Sequence, residues 1–196
     1  MGGRHLFAET WGLRMPFPLE TDRLILRRFR DSDLGEFLAY RSDPQVARYQ
    51  GWEIPYGLDE AQAFIDQMKN AIPGTPGKWF QSVIESKSIN VVIGDCAFHV
   101  MESDKRQAFI GITLSHAYWG KGYGEEASRR LLDYLFSELN LHRVVAECDV
   151  NNTASFLLLE RLGFRREAHL LENIWFKGAW GSEFHYAMLE REWKTK

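Results

Sequence analysis

Cysteine is nearly absent, with only Cys96 and Cys148 in 196 residues. That excludes a disulfide framework, and because each thiol lies in an apolar, strand-like run, both read as buried and reduced, as in a cytoplasmic protein. Long hydrophobic runs are missing too. No stretch approaches the roughly 20 apolar residues of a membrane helix, and Arg4, Glu9, Arg14 and Pro16 interrupt what would be the apolar core of a signal peptide. No membrane association is expected. Charge of one sign is not concentrated either. The net charge is −3 and no Lys/Arg block exceeds a pair, which argues against nucleic acid and anionic lipid as partners. Neither the histidines nor the cysteines show ligand spacing, so no metal is expected.

What is present suits one folded unit: 45% hydrophobic and 26% charged residues support a full-sized core. Residues 1–18 read as an N-terminal extension and 19–196 as a single domain. A first strand begins near Leu24. Helices follow around Leu34, Phe37 and Leu38 and around Ala61, Phe64, Ile65, Met68 and Ile72, before the breaker Pro73-Gly-Thr-Pro-Gly77. Three close strand-like runs, 79–85, 91–101 and 107–115, predict an antiparallel meander. The order then becomes helix (125–139), strand (142–150), helix (153–162) and two strands (165–176 and 184–190). The whole reads as an α+β fold with a mixed, mostly antiparallel sheet of about seven strands and about four helices. In the helix after residue 124, Ala127, Leu131, Leu135 and Leu139 form an apolar stripe widened by Leu132 and Phe136, and Glu126 is placed to pair with Arg130.

The most informative stretch is 111–127, GITLSHAYWGKGYGEEA. Gly120, Gly122 and Gly124 leave backbone N–H groups uncovered, and the helix that follows presents its positive dipole end. Such a turn is an anion cradle suited to a pyrophosphate. Further on, Asn152-Thr-Ala-Ser155 opens a helix that closes with Glu160-Arg-Leu-Gly163-Phe164.

These two signatures, in this order, together with Thr21-Asp-Arg-Leu-Ile-Leu-Arg27, resemble the GNAT superfamily of N-acetyltransferases. Within it they resemble the ribosomal-protein (RimJ/RimL-like) branch. The resemblance spans about residues 20–193 and implies the GNAT fold, acetyl-CoA as co-substrate and a primary amine as acceptor. It assigns the pyrophosphate to the backbone of Trp119, Gly120, Lys121, Gly122, Tyr123, Gly124 and Glu125. The pantetheine arm goes to the strand carrying Ile112 and Leu114, with Asn152 and Ser155 near the sulfur. Glu125 and Glu126 are expected to point away from the phosphates. Edge strands of such a sheet invite a homodimer.

Catalysis needs a proton acceptor at the amine and a donor at the departing sulfur. Ser155 is the candidate donor, because the tyrosine that many relatives carry before the Gly-Phe pair is Leu159 here; Ser155 and Asn152 also read simply as helix-start residues. The glutamate many relatives use as base falls at Phe109. Asp95, His99 and Glu172 are the replacements to consider, with Ile174 at the nearest aligned position for the last; His116 reads as a link residue. A dedicated base is also dispensable for an α-amine, of which around a tenth is neutral at pH 7, against well under a thousandth of a lysine. That leans the acceptor toward a protein or peptide N-terminus. Trp52, Trp79, Trp175 and Trp180 fall near the implied acceptor groove, where they either line it or pack the core.

A polyamine, aminoglycoside or toxic amine is an alternative acceptor, and a non-catalytic acyl-CoA-binding protein is an alternative of another class. A dinucleotide-binding reading fails on spacing, since the glycines run GxGxG where GxGxxG is required.

Overall fold

Alternation of apolar and polar residues shapes the centre of the molecule, of which the computed structural model describes residues 17–195. One sheet of eight strands runs in the order β1 (Leu19–Glu20), β2 (Leu24–Arg27), β3 (Trp79–Ser86), β4 (Val91–Val100), β5 (Gln107–Leu114), β6 (Arg143–Asp149), β8 (Ala179–Leu189) and β7 (Arg165–Phe176). Neighbours are antiparallel except β5 and β6, which run parallel. The eighth strand is β1, a two-residue addition paired to β2. Of the extension expected over residues 1–18, residues 1–16 lie outside the described residues; Phe17 packs its ring against Phe80 and Tyr134.

Two apolar layers cover the sheet. On one face, Phe80, Ile84, Cys96 and Phe98 meet α4 (Tyr123–Asp133) and α5 (Thr153–Leu162). On the other, Val83 and Val92 meet α1 (Leu34–Arg41) and α3 (Leu58–Asn70), with short α2 (Pro44–Ala47) beside them. A last short helix, α6 (Glu190–Lys194), closes the chain. Helices α2 and α6 are the two not expected from periodicity, and both are too short to show it.

Most of the expected stripe of α4 is buried, with Ala127, Leu131, Leu132, Leu135 and Phe136 at most 2% exposed, while Leu139 at its end is half-buried. Its end relaxes into a π-helical turn at Tyr134–Glu138, closed by Leu139 N–H to Tyr134 O at 3.0 Å. At the far edge, β8 starts five residues earlier than the pattern suggested. Lys177 and Gly178, with φ of 48° and 85°, make a two-residue turn that lets β7 and β8 pair out to Phe176 and Ala179.

The feature that positions the site is the seam between β5 and β6. Parallel pairing runs only from Gln107–Arg143 to Phe109–Val145. Beyond it the two strands part.

Candidate active site

The hydrogen bonds Ser115 N–H to Ile93 O and Met101 N–H to Gln107 O, both 2.9 Å, set the phase of the β4–β5 ladder. Odd-numbered residues of β5 therefore bond to β4, and Ile110, Ile112 and Leu114 turn their N–H and C=O toward the gap. The gap opens into a cleft of about 670 Å³ whose walls include Ile112, Leu114, Gly124, Cys148, Asn152 and Ser155. An extended amide-bearing chain laid in it would pair with β5 as a strand does. Leu114 has one group already used, because the Trp119 indole N–H donates to its carbonyl at 2.8 Å.

At one end of the cleft stands the start of α4. Gly120 and Gly122 have φ of 71° and 78°, left-handed values that a side chain would oppose, and Gly122 is the residue that begins the helix. No side chain caps it, and the first helical bond is Glu126 N–H to Gly122 O. Among the described residues, the amides of 120–125 have no intramolecular acceptor. A doubly charged diphosphate fits these donors and the helix dipole behind them. The neighbouring acids are turned aside, as expected. Glu125 accepts from Arg129 at 2.9 Å. Glu126 does not pair with Arg130; it takes Thr21 Oγ1 at 2.5 Å, Arg23 N–H at 3.0 Å and Arg23 Nε at 2.6 Å. Arg23 also donates to Lys121 O at 3.0 Å and lies over the Tyr123 ring. The Thr21-Asp-Arg23 segment is thus a clamp on the cradle, linked across about a hundred residues of chain that no local pattern reveals.

Burial pushes the Glu126 carboxyl upward, but the bonds from Thr21 and Arg23 outweigh it and hold it below the ordinary value. Its contribution to stability is therefore complete above about pH 4.3, the unfolded value, and is lost as pH falls through the lower folded one. Glu126→Gln should be less stable than the parent by a margin that is constant from pH 7 to about 5 and shrinks below about pH 4. Urea unfolding at stepped pH checks this, and a pH-independent margin would contradict it.

Asn152 caps α5, its Oδ1 accepting from Ser155 N–H at 3.2 Å. The Cys148 thiol lies beside Ser155, and burial pushes it up to about 11 despite that polar neighbour. Cys148 is thus a neutral thiol at pH 7 and a poor nucleophile. Leu159 is buried at the core margin.

The carboxylate candidates separate clearly. Asp95 is 1% exposed beneath α1, bonded by Tyr40 Oη at 2.5 Å and by Gln81, with Arg41 at 3.6 Å. His99 stands between the rings of Trp79 and Phe109. Glu172 sits at a bulge in β7 with φ of 46°, its N–H bonded to Ser182 Oγ, and it is not among the residues lining the cleft. Among the described residues, three carboxylates line the cleft: Glu125 accepts from Arg129 and Asp149 from Asn151 N–H, whereas Glu147 on β6, which lies near His185, is 40% exposed and was passed over by the sequence reading. Its signal was alternation: Val144, Ala146 and Cys148 are buried, and Glu147 breaks the other face of the same short strand. Of the tryptophans, Trp52 packs on the Arg41 guanidinium, whereas Trp79, Trp175 and Trp180 are exposed.

The acetyltransferase (GNAT) domain family matches residues 23–165. An uncharacterized N-acetyltransferase, YnaD, of Bacillus subtilis is 32% identical over 178 residues, covering 89% of this chain and 98% of that protein. A more distant relative, the [ribosomal protein uS5]-alanine N-acetyltransferase of Escherichia coli, is 23% identical over 183 residues, 89% of this chain and 92% of that one. A spermidine N-acetyltransferase from Vibrio cholerae, solved with CoA and spermine, shares the fold at a TM-score of 0.75 and 24% identity, over 89% of this chain and 99% of its own. With the splayed strands, the open amides and these matches together, the chain belongs to the GNAT family and is an acetyl-CoA-dependent N-acetyltransferase.

Proposed function

We propose that the acetyl group passes directly from the thioester to a protein or peptide N-terminal α-amine, with Glu147 taking the proton from the amine and Ser155 serving the departing sulfur. The observation carrying this reading is the position of Glu147, a cleft-lining carboxylate on the strand that also presents Cys148 toward Ser155. Backbone groups of Ile112 and Leu114 hold the pantetheine arm, and the amides from Trp119 to Glu125 hold the diphosphate. Direct transfer agrees with the protonated Cys148, which is in no state to carry an acyl intermediate. An α-amine is about a tenth neutral at pH 7, so the site need only orient it and accept its proton. The alanine acceptor in the name of the distant Escherichia coli relative points the same way.

A polyamine is the second reading, favoured by Glu147, Asp149 and Glu183 on neighbouring strands, where, among the described residues, no lysine or arginine lies within 4.0 Å of Glu147 or Glu183 and His185 is their one basic neighbour. The homodimer would use β7, the free edge of the sheet, where Leu171 and Trp175 are exposed. A cytoplasmic setting suits two free buried cysteines.

Thiol release from acetyl-CoA at pH 7 tests the acceptor. Peptides with free N-termini should outperform Nα-blocked lysine peptides by roughly 200- to 400-fold, the ratio of their neutral fractions. Faster reaction with lysine or a polyamine overturns the α-amine assignment, and tight acetyl-CoA binding without thiol release from any amine overturns catalysis.

A further inference from the structure

Acetylation of an ammonium ion leaves one proton over in every turnover: nitrogen loses two on becoming an amide, and sulfur keeps one on leaving as a thiol. Glu147 can receive a proton from the nitrogen, but an acceptor seated over it closes its own route to water. We propose that His185 is a positioning and relay residue that orients Glu147 and passes this proton on to Glu183, away from the seated acceptor. This rests on the assignment of Glu147 made above.

The row is set by the sheet. Glu147 on β6 and His185 on β8 are direct cross-strand partners, so the pleat puts both side chains on one face. Glu183 lies two residues before His185 on the same strand and face. His185 Nδ1 is 3.6 Å from Glu147 Oε1, and Nε2 is 3.9 Å from Glu183 Oε2. Each gap is a small side-chain rotation longer than a hydrogen bond, as is common before substrates tighten a site. Nε2 is closed to solvent and has no hydrogen-bond partner among the described residues. Desolvating a nitrogen without a partner is unfavourable, so an apolar side chain would serve packing better. From β7, the residues opposite His185 and Glu183 are Ala168 and Leu170, which bring no charge to the imidazole. Asn173 donates to Glu183, whose side chain is 19% exposed and meets water.

The step balances without a further reagent. The ammonium proton moves to the Glu147 carboxylate and from there to Nδ1, while the imidazole releases a proton from Nε2 to Glu183 and thence to solvent. Once the product leaves, rotation of the ring, whose side chain is 32% exposed, brings both nitrogens to water and resets it.

His185→Gln keeps a polar side chain of similar bulk and cannot relay. At saturating acceptor and low buffer its kcat should fall about tenfold, with KM for acetyl-CoA and Tm unchanged, and added imidazole should restore kcat. Glu183→Gln, at the far end of the row, should lower kcat in the same direction with the same rescue. Undiminished kcat in both variants overturns the inference alone. So does a loss that imidazole does not restore and that comes with a lower Tm, which marks a purely structural role. A parent enzyme that binds acetyl-CoA but releases no thiol overturns the catalytic reading beneath it.

Discussion

Glu147→Gln should lower kcat by about 10²–10⁴-fold, the usual span for losing a positioned acid–base group. The substitution is isosteric, and Glu147 lies on the far wall of the gap from the β5 backbone and the α4 amides. Acetyl-CoA affinity measured by calorimetry should therefore be unchanged, which separates loss of chemistry from loss of binding. Phe109 explains why the carboxylate belongs there. It pairs with Val145 at the last closed rung of the seam, and Glu147 is the next residue on that face of β6. On the proposed reading, a carboxylate missing from one side of the gap is supplied from the other. Should the Gln variant keep kcat within about twofold of the parent, Glu147 is not the proton acceptor.

The second large effect concerns stability. Asp95→Ala should lower the unfolding free energy by about 3–5 kcal/mol, because it strands a buried cation. Arg41 is 5% exposed and stacked among Phe37, Trp52, Tyr56 and Phe64, with its Nε already lacking a partner. Asp95 is its one carboxylate neighbour within 4.0 Å among the described residues. Tyr40 and Gln81 would lose their acceptor as well; burial first, and then the Asp95 charge, holds the Tyr40 phenol well above its usual range. For a chain of this size the expected fall in Tm is roughly 6–20 °C. Replacing Arg41 by Met in the same protein should return much of the loss, since an apolar pair removes the stranded charge. A Tm within about 2 °C of the parent for Asp95→Ala alone would show that the aromatic enclosure suffices without the carboxylate.

Much of the cradle and the sheet could be read from the chain because their determinants are local. Three glycines at alternate positions, an apolar stripe on α4 and the Asn152 to Ser155 spacing each fall within a few turns of backbone. Alternation also placed Asp95 and His99 on one face of β4, but it could not say what lies above that face. The covering groups, Tyr40 and Arg41, come from a helix more than fifty residues earlier. Glu126 shows the same limit, with a suitable partner at i+4 on its own helix and its actual partners on the first loop of the domain. Glu147 required knowing at which rung β5 and β6 separate, which depends on long-range pairing.

That early separation has a mechanical side. With only residues 107–109 and 143–145 laced together, the block from β1 to β5 and the block from β6 to β8 meet like two boards joined by a short hinge. A coenzyme paired with the inner edge of β5 and reaching the start of α5, beyond β6, would span both boards, so that its binding should be read as slowed amide exchange along the seam.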